Sequence, residues 1–96
     1  MGFTLSPRAR ADLDGIWDYT AEHWNADQAD RYIRQLAEAF GNIADGSIPG
    51  RAANDIRKGY FKVPVGSHVV FYRHAAAGDV VVIRVLHQRM DVARHL

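Results

Sequence analysis

Hydrophobic positions recur every three to four residues in the first half of the chain and every second residue in the latter part, so the pattern predicts helices followed by strands. Ahead of the helices, Phe3 and Leu5 read as a short first strand. Ser6-Pro7 is a helix start, because a serine side chain can accept a bond from an orphan N–H and proline at the first helical position gives up nothing. Leu13, Ile16, Trp17, Thr20, Ala21 and Trp24 then follow at helical spacing, with Asp12, Asp14, Asp18 and Glu22 elsewhere, which describes an amphipathic helix of about five turns. Asn25 or Asp27 caps a second helix, whose apolar positions are Ala29, Tyr32, Ile33, Leu36, Ala37, Phe40 and Ile43. Gly46 and Pro49-Gly50 stop it. So short a junction between two amphipathic helices implies an antiparallel hairpin with facing apolar stripes.

Beyond a loop from Gly50 to Asp55, three strands are predicted at 56–63, 67–74 and 79–88, joined by Pro64-Val-Gly66 and Ala75-Ala-Ala-Gly-Asp79. Alternation assigns Phe61, Val63, Val70, Tyr72, Val81, Ile83 and Val85 to the face that packs on the hairpin. The other face receives Tyr60, Lys62, Val69, Phe71, Arg73, Val82, Arg84, Leu86 and Gln88. A solvated sheet face normally alternates to polar residues, whereas here four apolar side chains sit inside a frame of Lys62, Arg73 and Arg84. Apolar patches with a charged rim mark binding sites, so this face is expected to receive a partner.

The chain's 96 residues are enough for one domain, 1–96, with a single core, and 48% hydrophobic with 24% charged residues is the composition of a globular protein. With no cysteine there is neither a disulfide framework nor a thiolate metal site. Val80-Val-Val-Ile83 is cut short by Arg84, so no membrane span is expected and the cytoplasm is the expected compartment. The net charge of +1 hides an asymmetry: residues 1–50 carry four cations against eight acids, and residues 51–96 eight cations against three. The basic half suits an acidic protein segment or a nucleic acid.

His23, His68, His74, His87 and His95 show no paired helical spacing. His87 and Asp91 could pair as base and orienter, but no activated serine or cysteine accompanies them, so neither a metal nor a hydrolytic triad is expected.

Leu5-Ser-Pro-Arg-Ala9, Asp12-Leu13, Ile16-Trp17-Asp18-Tyr19, Asp27-Gln-Ala29, Pro64-Val-Gly-Ser-His68, Phe71-Tyr-Arg73, Val85-Leu-His-Gln-Arg-Met-Asp91 and Arg94-His-Leu96 together resemble the ParE toxins of the RelE/ParE superfamily, over nearly the whole chain. The resemblance implies an α+β fold of order β-α-α-β-β-β, with a short N-terminal strand and a two-helix hairpin on one face of a mainly antiparallel sheet. It also implies a toxin that poisons DNA gyrase and is neutralised by a ParD-like antitoxin, with no cofactor, no catalysis of its own and no sequence-specific DNA binding. The RelE branch cleaves mRNA with basic residues and a terminal tyrosine. In the matching positions this chain has Val69, Gln88 and Ala93-Arg94, with only Lys62 retained. A valine cannot hold a phosphate.

On this reading the antitoxin would lie on Tyr60, Lys62, Val69, Phe71, Arg73, Val82, Arg84 and Leu86. His87, Arg89, Met90, Arg94 and His95, beyond or at the end of the last strand, would contact the target. Trp17 is assigned to the core, and Tyr19 is left unassigned, its place out of phase with the apolar stripe favouring an exposed ring.

Overall fold

A computed structural model describes residues 2–96. The elements are β1 (Phe3–Leu5), α1 (Pro7–His23), α2 (Ala26–Ala44), β2 (Arg51–Ala52), β3 (Tyr60–Val65), β4 (His68–His74), β5 (Val80–His87) and a last turn, α3 (Val92–His95). The fold is the α+β arrangement expected, with one added edge strand. The five strands lie in the order β1-β5-β4-β3-β2, antiparallel except where β1 runs parallel to β5.

Local chemistry sets the helix boundaries. Ser6 Oγ accepts from Ala9 N at 3.0 Å and donates to the Ile83 carbonyl at 2.6 Å, so one hydroxyl starts α1 and fastens it to the sheet. Asn25, not Asp27, caps α2, accepting from Gln28 N at 2.8 Å. Trp17 is half-buried and donates its indole N–H to Asp30 across the hairpin at 2.9 Å. In α2 the stripe holds except at Ala37, which is exposed, while Ala39 is buried. Leu36 and Phe40 are among the largest fully enclosed side chains and pack with Ile16, Val63, Val70, Val80, Val82 and Val85 in the core.

The sheet departs from the expected boundaries in three places. Residues 56–59 form a turn rather than strand, because Ile56 and Arg57 N–H groups return to the Ala53 carbonyl and Gly59 takes φ 85°. Pro64 lies inside β3, opposite Val69. Val69 exchanges its backbone bonds with Leu86 on the other side, so the N–H that proline lacks would have pointed to the open edge, where nothing is lost. β2, read from sequence as loop, is two residues pairing with Lys62 and Phe61.

The largest correction concerns β5. Phe71 opposes Arg84 but Tyr72 opposes Val82, so Ile83 is an extra residue, a β-bulge. Because side-chain direction has a period of two, the bulge reverses the expected faces upstream of it. Val80 and Val82 point into the core, Val82 with no exposed surface, while Val81 and Ile83 remain partly exposed. Val82 is therefore a core residue and not part of an antitoxin-facing surface. No described helix is long and apolar enough to cross a membrane.

Candidate functional site

β1 stops pairing with β5 at Val82, leaving the rest of that strand's edge to α1. Asp12, nearly two helical turns beyond the Ser6 anchor, closes it. Its carboxylate accepts Val85 N–H at 2.9 Å and a two-pronged contact from Arg84, whose Nε and second terminal nitrogen lie 2.8 and 2.9 Å away. The third guanidinium nitrogen donates to the His95 carbonyl at 2.8 Å. The pair holds Arg84 protonated more firmly than an ordinary arginine, chiefly through the hydrogen bonds to Asp12 and against the cost of burial.

This arrangement revises what the outer sheet face offers. Arg84 is already committed to Asp12 and the tail, and is not a free rim cation. Phe71 and Leu86, each 1% exposed, are outside the helix-facing core cluster yet fully covered. The tail returns over the face they occupy, tied there by Arg84 to His95 and by Arg57 to the Leu96 carbonyl at 3.4 Å. An exposed patch built on Phe71, Val82 and Leu86 therefore does not exist in the free chain. Of the eight proposed antitoxin positions, Arg73 is exposed and Tyr60, Lys62 and Val69 are partly so.

The open apolar surface lies instead in a groove of about 860 Å³ between α1, the start of α2 and the ends of β4 and β5. Asp12, Ile16, Tyr19 and Thr20, spaced to share one helical face, form one wall with Gly15, around which a side chain would meet nothing within 4 Å. Trp24 stands at the hairpin corner, and Leu86, His87 and Met90 form the far side. Trp24 is 74% and Tyr19 62% exposed, unusual for rings this large in a chain with an otherwise enclosed core. Tyr19 stacks on His23 at 3.9 Å between centroids, which holds it outward.

Where β4 and β5 meet α2, Tyr32, His68 and His87 come together. The Tyr32 hydroxyl lies 2.6 Å from His68 Nδ1 and accepts from Ser67 N–H at 3.1 Å. The imidazoles of His68 and His87 are 5.3 Å apart, edge to face. Burial first, then the neighbouring His87 ring, pushes His68 below its ordinary value of 6.5, with Asp12 pulling the other way. Burial raises the Tyr32 phenol, against the Ser67 bond. Gly66 makes the approach possible: it takes φ 57° in the two-residue β3–β4 hairpin, and a Cβ there would stand 2.8 Å from the Tyr32 ring. Gly66→Ala is accordingly expected to cost about 1–3 kcal/mol by urea unfolding and to shift the His68 ring resonances in NMR.

The residues expected to meet a target do not form one surface. His87 and Met90 line the groove, Arg89 and Arg94 are exposed beside it or beyond it, and His95 is partly covered with its carbonyl engaged by Arg84. Trp24, placed by periodicity in the α1 stripe, caps that helix instead and projects from the corner. Its position immediately before the α2 cap was the available signal, since a residue at a hairpin corner belongs to neither stripe. Among the described residues no group of three or more His, Asp or Glu could hold a metal.

The architecture is shared with a chain from the chromosomal ParDE TA system of P. aeruginosa, which superposes with a TM-score of 0.76 over 91% of this chain and 95% of that one, at 16% identity. The sequence carries the relationship further. A family model described as ParE toxin of type II toxin-antitoxin system, parDE, matches residues 3–92. Toxin ParE1 of Mycobacterium tuberculosis (strain CDC 1551 / Oshkosh) is 49% identical over 94 residues, covering 98% of this chain and 96% of that protein. Toxin ParE1 of Caulobacter vibrioides is 44% identical over the same coverage. The chain belongs to the ParE toxin family of type II toxin–antitoxin systems.

Proposed function

We propose that this toxin arrests growth by binding DNA gyrase in the cytoplasm, without catalysing a reaction itself, and that a ParD-like antitoxin silences it by seating an amphipathic segment in the groove between α1 and the end of β5. The exposed Tyr19 and Trp24 rings beside a mainly apolar groove carry this reading, because rings of that size left in water are what a partner segment would cover. Gly15, which no neighbour in the chain requires to be small, leaves room for a close-approaching segment. Arg73, Lys62, Tyr60 and Val69 on the outer sheet face are a second contact for the same partner. The target contact falls to Arg89 and Arg94, the exposed cations of the tail.

Expression of the chain alone should stop bacterial growth, induce a DNA-damage response and, with purified protein, inhibit gyrase supercoiling. Co-expression with the antitoxin should restore growth. Intact supercoiling together with specific cuts in translated mRNA would reject gyrase and make the chain a ribonuclease of the RelE kind, despite Val69, Gln88 and Ala93 at the positions that branch uses.

A further inference from the structure

His68 and His87 are cross-strand partners in β4 and β5. Gln88 N–H donates to the Ser67 carbonyl, so the adjacent pair is hydrogen-bonded and the His68–His87 pair falls at a non-hydrogen-bonded position, where facing side chains come closest. Each ring has its Nδ1 engaged inside the chain. Arg89 N–H donates to His87 Nδ1 at 3.2 Å, which leaves the neutral ring's proton on Nε2. At His68, the Tyr32 hydroxyl accepts from Ser67 and lies nearer to Nδ1, at 2.6 Å, than to the Val65 carbonyl at 3.4 Å, and we assign its proton to the Nδ1 contact on that ground. That again leaves the proton on Nε2. The backbone N–H of His87 turns toward the edge that β1 has vacated. These three donors belong to two neighbouring residues of the groove lining.

We propose that His68 and His87 form a carboxylate-binding site, and that the acidic side chain they take belongs to the antitoxin segment seated in the groove; this rests on the reading of the groove given above. Neither ring is in an ion pair among the described residues. Asp12, the carboxylate nearest in the groove lining, is spent on Arg84 and Val85 N–H. The other titratable groups of this wall are Tyr19 on α1 and Tyr32 on α2, the latter with its phenol raised by burial. A metal ion fits poorly, since it would have to displace the Nε2 protons that the Nδ1 contacts fix in place. A carboxylate accepts those same protons and gains further from a charged ring. Burial and the neighbouring ring disfavour the charged form of His68 when the groove is empty, and an incoming carboxylate offsets both. Binding should therefore take up protons and tighten as the pH falls.

The test is calorimetric affinity of the intact chain for its antitoxin at pH 8 and pH 6, beside an NMR titration of the His68 ring with and without antitoxin. The expected results are a dissociation constant about tenfold lower at pH 6 and an upward move of the His68 midpoint in the complex. In the His68→Gln, His87→Gln double variant, folded by circular dichroism, the pH dependence should disappear. Binding of equal strength at both pH values, with an unmoved His68 midpoint, overturns the carboxylate site and leaves the groove as antitoxin seat intact. Should the double variant not fold, the wild-type titration decides alone. A folded wild-type chain that fails to bind the antitoxin overturns both readings.

Discussion

Replacing Asp12 with alanine should destabilise the chain by about 3 kcal/mol, a loss on the order of 10–20 °C in melting temperature for a domain of this size. Removal of the carboxylate strands the Arg84 guanidinium in a partly buried place and leaves Val85 N–H without its acceptor, so two unmet polar groups add to one lost pair. Thermal melts followed by circular dichroism give the number. Asp12→Ala combined with Arg84→Met should recover part of the loss, because the penalty lies in leaving one charge alone. A single variant within about 0.5 kcal/mol of the parent would mean that the pair behaves as an ordinary surface contact.

Truncation of residues 89–96 is expected to have the second largest effect and a different character. They lie past the last strand, where a tail is ordinarily dispensable. In the structure they fold back, and their loss releases the bonds to Arg84 and Arg57 and uncovers Phe71 and Leu86. The re-exposed rings and branches should cost on the order of 2–4 kcal/mol and produce dye binding and self-association. Toxicity lost on truncation therefore says little about gyrase contact. Charge reversal at Arg89 and Arg94, both exposed, is the cleaner probe: growth arrest should fall while the melting curve stays within about 2 °C of the parent. Full toxicity in that folded double variant would move the target contact off the tail.

Those two effects also mark where the sequence was legible. Ser6-Pro7, the 3.6-residue rhythm of α2 and the alternation in β3 and β4 are local signals, and each element they announced is present. Asp12 and Arg84 are 72 residues apart, and no local rule joins an acid in a helix to a cation in a strand. Phe71 and Leu86 did fall on the outer face, as alternation required, but their cover comes from a tail that carries no periodic pattern of its own. The groove escaped for a similar reason. Tyr32 and Trp24 fit the helical stripes by spacing, and only the β3–β4 turn sets Tyr32 against His68 and only the hairpin corner leaves Trp24 on the groove.

The bulge at Ile83 divides β5 into two stretches that keep separate time. Upstream, the phase of Val80 and Val82 is tied to β1 and the core; downstream, the phase of Val85 and His87 is tied to β4 and the groove. Loss of that single residue would restore an unbroken inside-outside rhythm and force one stretch to turn over, taking either the core valines or His87 to the wrong side. The spacing between the two stretches is consequently under a stricter constraint than the identity of Ile83 itself. Its side chain is partly exposed and open to exchange, whereas the count of residues is not.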